Sequence, residues 1–588
     1  MDIQRTILWV VFGMSILFLW DAWQKSQGKQ PMFGPPTVEK KVEPPSAVKA
    51  ADTPPVAAAP SRDASVPQPV VSKPAASAPA VAVPSAGPVA GRGERLRFET
   101  DVMRVDIDTM GAVLSRVELV NQKVTPDWTA NGIVGVVTGK KQDTEARVVL
   151  LEETPNRTYL AQSGLIGAPE GAAGGFPTHR TEWKLLEGPR SLAAGQDTLT
   201  VKFAAESGGV RAVKSYTFFR GRNDVDVTHE VTNLSEAPVN PSLYLQIMRD
   251  GNKPEGESAL YYVFTGAAVY TDAKKFHKLE FKDIEKGKID FVKASPNGWI
   301  AMIQHYFVTA WVPPDGVARE FYTLNPSSNL FVIGSQYPLG AVAPGATVKS
   351  VVKFFSGPQD QNALESLAPG LDLVVDYGWL TFIAKPLFWL LEFLHRFLGN
   401  WGWAIVFATV LIKAAFYPLS AASYKSMARM KEVTPRMMKI REQYGNDKQK
   451  MNMAMMELYK NEKINPLGGC LPIVVQIPVF IAYYWVILAS VEMRNAPWML
   501  WVQDLATPDP WFILPVVMIA TMWIQYKLNP VPPDPVQAKV MAAMPFIFGV
   551  MFFFFPAGLV LYWLVNNVLS IAQQWYVTKQ IARQRPTG

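Results

Sequence analysis

The chain has 588 residues and a formal net charge of +7, with 49% hydrophobic and only 18% charged residues. Charge this sparse, against about 25% in ordinary soluble chains, excludes a mostly disordered protein and gives no footing for direct nucleic-acid binding. A single cysteine, Cys470, excludes a disulfide scaffold. A mean hydropathy of +0.07 lies between soluble and all-membrane values, so the average blends two unlike halves.

In chain order, residues 6–20 form an uncharged run that Asp21 ends. With its flanks it is long enough to span a bilayer, and 1–24 reads as an N-terminal anchor. A cleaved signal peptide is the alternative, but Asp21-Ala22-Trp23-Gln24-Lys25 offers no small-residue cleavage site. Residues 25–92 read as a semi-extended linker: 14 prolines fall between 31 and 90, with no apolar periodicity. Residues 93–370 alternate polar and apolar, as in 96–99, 102–108, 215–219 and 224–228, with turn punctuation at 221–224 and 251–258. This predicts a large antiparallel β-sandwich. Over 379–400 Lys385, Glu392 and Arg396 recur on one helical face with Trp379 and Trp389 nearby. That pattern predicts an interfacial amphipathic helix; a helix packed on the β domain is the other reading.

From Trp401 the chain is membrane-like. The run 401–424 is uncharged except for Lys413, 464–491 and 510–526 carry no charge, and 540–578 is long enough for two spans. Phe555-Pro556-Ala557-Gly558 supplies the turn between those two. Residues 464–578 thus hold spans three to six, for six in all. The intervening stretch 425–463 reads as a helical hairpin. Pro435 is expected to open a helical turn, Gly445-Asn446 to break the run and Asp447 to cap the next helix. With its edge from 421, it carries ten bases against five acids, and the tail 579–588 adds Lys579, Arg583 and Arg585. Positive-inside reasoning puts hairpin, tail and N-terminus in the cytoplasm and the β domain outside, although Lys25 and Lys29 after span one argue the other way.

Catalytic and cofactor signatures are missing from the sequence. It has no phosphate loop and no H-E-x-x-H, and its five histidines lack metal-ligand spacing. The informative residues are polar ones inside the spans. Lys413, with Thr409 one turn earlier, is a cation at membrane depth, costing about 2.5–3.5 kcal/mol or more; snorkelling to the interface is the competing reading. Gln476 and Phe480 share a face, as do Asn566 and Ser570, while Asn567 and Gln574 lie one heptad apart and Gln525 ends the fourth span. These predict a shared wet concavity, or else simple interhelical hydrogen bonds. Pro472, Pro478, Pro515 and Pro545 are expected to interrupt the helices. Eight of the 22 methionines lie on the hairpin. They form either an adaptable reception surface or a seam between its helices.

Gly399-Asn400-Trp401-Gly402, Tyr417-Pro418-Leu419, Asn465-Pro466-Leu467-Gly468-Gly469-Cys470, Gln476-Ile477-Pro478 and Phe555-Pro556-Ala557-Gly558-Leu559 with Tyr562 resemble the YidC-type membrane protein insertases of Gram-negative bacteria. The resemblance covers nearly the whole chain. It implies a multi-domain membrane protein with an N-terminal anchor helix and a periplasmic all-β, supersandwich-like domain (residues 25–378 periplasmic). A five-helix transmembrane core in the bacterial inner membrane then carries a cytoplasmic helical hairpin. The implied activity is insertion and chaperoning of membrane proteins without an energy source or cofactor, alone or beside the Sec translocon. The client groove it implies comprises Lys413, Thr409, Gln476, Phe480, Tyr562, Trp563 and Asn566. The family's usual arginine is lysine at 413, which keeps the charge and loses the bidentate fork. The implied hairpin surface, with Lys425, Arg429, Arg436, Met437, Met451 and Met455, would receive nascent membrane proteins, the ribosome, a targeting-factor receptor and anionic lipids. With so short a tail, ribosome contact would rest mainly on the hairpin. A secondary transporter using Lys413 and a structural scaffold are the rival functions.

Overall fold

The computed structural model describes residues 93–124, 132–139, 146–169, 174–254, 263–444, 447–462, 471–529 and 535–583. The anchor expected at 6–20 and the linker at 25–92 lie outside the described residues.

Period-two patterning produces two antiparallel sheets of ten and nine strands. Arg157–Ile166, Ser242–Asp250 and Leu330–Pro338 are central in the first; Phe307–Val312, Thr347–Pro358 and Asp224–Asn233 are central in the second. The strands read from sequence at 96–99, 102–108, 215–219 and 224–228 are Arg95–Glu99, Met103–Asp108, Val210–Phe219 and Asp224–Asn233. Val105, Ile247 and Ile333 from one sheet meet Val227, Trp311 and Phe354 from the other in a common core. Alternation fails in Gly266–Thr271, Trp299–Gln304 and Phe307–Val312, which are buried on nearly every residue. Their outer face is roofed by the helix Gln361–Leu367 and the turn Leu371–Val374, where Leu364, Leu371 and Val374 pack with Trp299 and Phe355.

Eight helices of the C-terminal region are labelled here α1 (Thr381–Leu398), α2 (Trp401–Ala415), α3 (Tyr417–Tyr444), α4 (Lys448–Asn461), α5 (Leu471–Ala489), α6 (Ile513–Leu528), α7 (Pro535–Met551) and α8 (Ala557–Arg583). α1 buries Ala384, Leu387, Phe388 and Leu391 against the molecule and leaves Phe382, Trp389, Phe393 and Phe397 exposed. Gly399 ends it at φ 65°, a left-handed conformation that glycine adopts without steric cost. Asn400 then caps α2. Its Oδ1 accepts from the Trp403 N–H at 3.0 Å, and its Nδ2 donates to the carbonyls of Pro497 and Trp498 at 3.0 Å each. Gly402 admits the Trp498 ring, which a Cβ would meet at 2.3 Å. The motif at 399–402 therefore stops one helix, starts the next and docks a distant loop. The motif at 555–558 acts similarly. It turns α7 into α8, and the N–H groups of Ala557 and Gly558 donate to the carbonyls of Thr507 (2.7 Å) and Leu505 (2.9 Å).

Several expectations are corrected. The run 401–424 is not one straight helix: α2 stops at Ala415, and α3 departs at 67°. Pro418, in the first turn of α3, has no N–H for the preceding turn, so the ladder breaks there. α3 continues unbroken to Tyr444, and Pro435 lies inside it rather than opening a helix. Pro478 and Pro545 likewise lie inside α5 and α7, and Pro472 and Pro515 sit in first turns, where a missing donor is harmless. Asp447 does cap α4, accepting from the N–H groups of Gln449 and Lys450 at 3.1 Å each. Among the described residues no single helix is long and apolar enough to cross a membrane; α2 and α3 together pass that test as a bent pair.

Several contacts among the described residues tie the sandwich and its C-terminal extension to the helices. A ring nitrogen of His305 lies 2.9 Å from the Leu488 carbonyl, and the Tyr377 and Ser490 hydroxyls are 3.2 Å apart. Arg494 donates to Gln122 Oε1 at 3.2 Å and to the Lys123 carbonyl.

Candidate functional site

α2, α5 and α8 converge on a polar cluster that is buried at Lys413 and Ser570 and half-buried at Gln476 and Asn566. Lys413 occupies the last turn of α2, where the helix dipole favours a cation. It is 5% exposed, and its ammonium donates to Ser570 Oγ on α8 at 2.7 Å. Snorkelling is thus not the conformation adopted. The Ser570 hydroxyl in turn donates to the Asn566 backbone carbonyl at 2.7 Å, and the Asn566 side-chain oxygen accepts from Gln476 Nε2 on α5. The i, i+4 spacing of Asn566 and Ser570 stacks them on one face of α8 and makes this chain of contacts possible.

An aromatic wall adjoins it. Phe480 stacks on Tyr562 at 6.1 Å between ring centres and meets Trp563 edge-on at 4.3 Å. Tyr483 stacks on Tyr562 at 4.3 Å. The hydroxyls of Tyr483 and Tyr562 are buried beside Thr409 and Gln476 respectively, without a hydrogen bond of full geometry among the described residues. Buried polar atoms in that state are uncommon and leave hydrogen-bonding capacity for another molecule.

Most of the groove residues read from sequence therefore come together: Lys413, Gln476, Asn566, Phe480, Tyr562 and Trp563. Thr409 is buried beside them, but its hydroxyl bonds back to the Ile405 carbonyl at 2.7 Å. Asn567 and Gln574 turn to the other flank of α8, where they donate to Met518 Sδ (3.6 Å) and Asn529 Oδ1 (3.1 Å). These two hold α6 to α8. Gln525 makes no hydrogen bond within the cluster. Sequence reading missed Tyr483, although its position one turn after Phe480 was a usable signal.

On the hairpin, Lys425, Arg429 and Arg436 are exposed, and Arg436 pairs with Glu462. Met437 is buried with Val433, and Met430, Met455, Leu458 and Tyr459 pack against them. Met451 is half-buried; Met438, Met453 and Met456 are the methionines facing outward. Met437 and Met455 thus fill the seam between the two helices, while Met438, Met453 and Met456 lie on its outer surface.

An antiparallel β-sandwich joined to a helical bundle, with a buried lysine among amides and aromatics, defines a class of multi-domain helical proteins built around an internal polar site. Comparison with known proteins narrows that class. Residues 95–390 match the family described as YidC periplasmic domain, and residues 393–584 the family described as 60Kd inner membrane protein. The chain is 53% identical over 584 residues to the membrane protein insertase YidC of Bordetella petrii, covering 99% of each chain. It is 52% identical over 586 residues to that of Cupriavidus metallidurans, covering 99% of this chain and 98% of the other. Among solved structures, a YidC insertase with its first transmembrane domain resolved matches at 17% identity and a TM-score of 0.37, covering 82% of this chain and 92% of the other. The chain belongs to the YidC family of membrane protein insertases. That membership sets it among inner-membrane insertases rather than enzymes.

Proposed function

We propose that this chain moves hydrophobic segments of newly made proteins into the inner membrane through a hydrophilic groove centred on Lys413, open to cytoplasm and lipid. The observation that carries the reading is the state of Lys413. It is a nearly buried ammonium whose hydrogen-bond partner among the described residues is one neutral hydroxyl. An ammonium has three donors, so capacity remains for an acidic or polar group of an incoming chain. Carrying a polar segment through about 30 Å of hydrocarbon is costly. A polar groove entered from the cytoplasm shortens the apolar path, and Lys413 attracts carboxylates through a low local dielectric. Phe480, Tyr562 and Trp563 give the client's apolar helix a surface to slide along into lipid, whose hydrophobic gain drives the step.

In this reading the C-terminal helices span the membrane five times beyond an N-terminal anchor. Both termini and the α3–α4 hairpin are cytoplasmic, and residues 25–378 are periplasmic. The charge pattern supports it: ten bases against five acids near the hairpin. The exposed Lys425 and Arg429 and the outward methionines receive the nascent chain, the ribosome or a targeting-factor receptor, and contact anionic lipids. The Sec translocon is the expected companion for larger clients.

The test is site-specific crosslinking from Thr409 or Tyr562 to a ribosome-stalled single-span client. Adducts at both positions are expected; a transporter or scaffold gives none. Deleting 425–460 should lower client capture while α5–α8 stay folded, and undiminished capture would remove the hairpin from the mechanism.

A further inference from the structure

The β domain carries one short element with no role in either the sandwich core or the groove. Between the strands Val113–Lys123 and Arg147–Val149 lies the helix Gly132–Thr138, Gly-Ile-Val-Gly-Val-Val-Thr, without a charged residue. Val136 and Val137 are 76% and 79% exposed, and Ile133 is exposed on the same helix. In a water-soluble domain such a patch is anomalous, because it leaves three β-branched apolar side chains in solvent.

Two further observations say what covers it. The first is position. The Ile133 N–H donates to the Pro510 carbonyl at 3.1 Å. Gly132, at φ 60°, lies so close that a Cβ would fall 1.9 Å from the Pro510 carbonyl oxygen. Pro510 leads directly into α6, whose approach and first turns expose Trp511, Ile513, Val516 and Val517. The apolar helix is thus fastened to the entry of a helix that the functional reading places in the membrane. The second is hydrogen bonding. Thr138 Oγ1 donates to the Val134 carbonyl at 2.8 Å, and the Gly139 N–H donates to the Gly135 carbonyl at 2.9 Å. These bonds satisfy the Thr138 hydroxyl and the Gly139 N–H within the helix, which lowers the cost of placing those donors beside hydrocarbon.

We infer that Gly132–Thr138 is a membrane-contact element of the β domain, with Ile133, Val136 and Val137 seated among the outer-leaflet acyl chains beside α6. It rests on the reading of α6 as a transmembrane span. With the Arg494 and His305 contacts it fixes the tilt of the sandwich over the core.

Accessibility of a nitroxide in phosphatidylethanolamine–phosphatidylglycerol nanodiscs tests this on the full chain. Labels are placed through Val136→Cys, Val137→Cys and, as control, Val516→Cys, each with Cys470→Ser. Both helix labels are expected to collide with oxygen more than with a water-soluble nickel chelate, as the control does. Preferential collision with nickel at 136 and 137, or protection from both reagents as in a protein–protein contact, overturns the inference while the control still reads lipid. If the Val516 label itself reads water, the span assignment of α6 fails instead.

Discussion

Each half of the molecule buries a lysine, and the two are treated differently. In the sandwich, Lys214 is fully buried. It donates to the carbonyls of Gly111 (2.8 Å) and Ser163 (3.2 Å), and its ammonium lies 4.8 Å from the centre of the Trp183 ring. Burial pushes it down to about 7. It is surrounded by fixed groups, joins the sheets and is closed to visitors. In the helical core Lys413 bonds, among the described residues, to one hydroxyl, and the Tyr483 and Tyr562 hydroxyls lie in the same cluster beside Thr409 and Gln476. Buried polarity in the sandwich is architecture; in the core it is capacity kept for another chain. Counting buried charges would have ranked the two alike, and only their partners separate them.

The contrast predicts graded effects. The largest belongs to Lys413→Glu. A carboxylate about 4 Å from the ammonium gains roughly 4 kcal/mol at an effective dielectric of about 20, and reversal turns attraction into repulsion. Insertion of a single-span client with an acidic leading segment should fall by more than ~100-fold in reconstituted vesicles, with the protein still accumulating. Lys413→Arg should insert near the original rate.

Next comes Lys214→Met, which leaves two buried carbonyls without their donor and should cost the sandwich about 1–3 kcal/mol in denaturant melts. Insertion at 25 °C should be unchanged. The pH dependence has a definite sign. Above about 7 the folded domain releases the Lys214 proton while the unfolded chain holds it to about 10.4. Wild-type stability should therefore rise with pH across that window, and Lys214→Met should flatten the rise.

A further effect, confined to a pH window, concerns the junction between the halves. Burial pushes Glu492 up to about 7, with Asp360 and Glu392 adding to the rise. Because this carboxyl holds its proton more tightly when folded, stability is lost as pH climbs from about 4.5 to 7, by at most about 1.4 kcal/mol per unit crossed. Glu492→Gln should remove that loss, read as slower hydrogen exchange in 490–495 at pH 8. Weaker still are the hairpin changes. Met437→Ala should loosen the α3–α4 seam to limited proteolysis, Met438→Ser should not, and Arg436→Ala, breaking an exposed pair, should shift stability by less than about 0.5 kcal/mol.

Much of this was legible in the sequence, for reasons that differ by region. Alternation at 102–108 and 224–228 gave strands because one face of each meets the opposite sheet. It gave little for 299–304 and 307–312, where a helical roof buries the second face and erases the period. Lys413, Gln476, Asn566, Phe480 and Tyr562 stood out because polar residues are rare in apolar runs, and the fold gathers them. Tyr417-Pro418-Leu419 marked the end of the span that α2 begins, but the apolar run carried no sign of the 67° angle at which α3 departs. Lys214 was invisible as well: strand alternation says that a side chain points inward but not which carbonyls await it. The helix 132–138 was lost inside a domain read as uniformly soluble, for its seven residues are too few to register as a membrane segment.

The central claim is that Lys413 acts on the client's charge, and a reciprocal swap addresses it most directly. Insertion of two clients, identical but for an acidic or a basic leading segment, would be measured in vesicles bearing wild-type protein or Lys413→Glu. The electrostatic account predicts that the variant reverses the order, taking the basic client and refusing the acidic one. Equal loss for both clients, or no change for either, would contradict it.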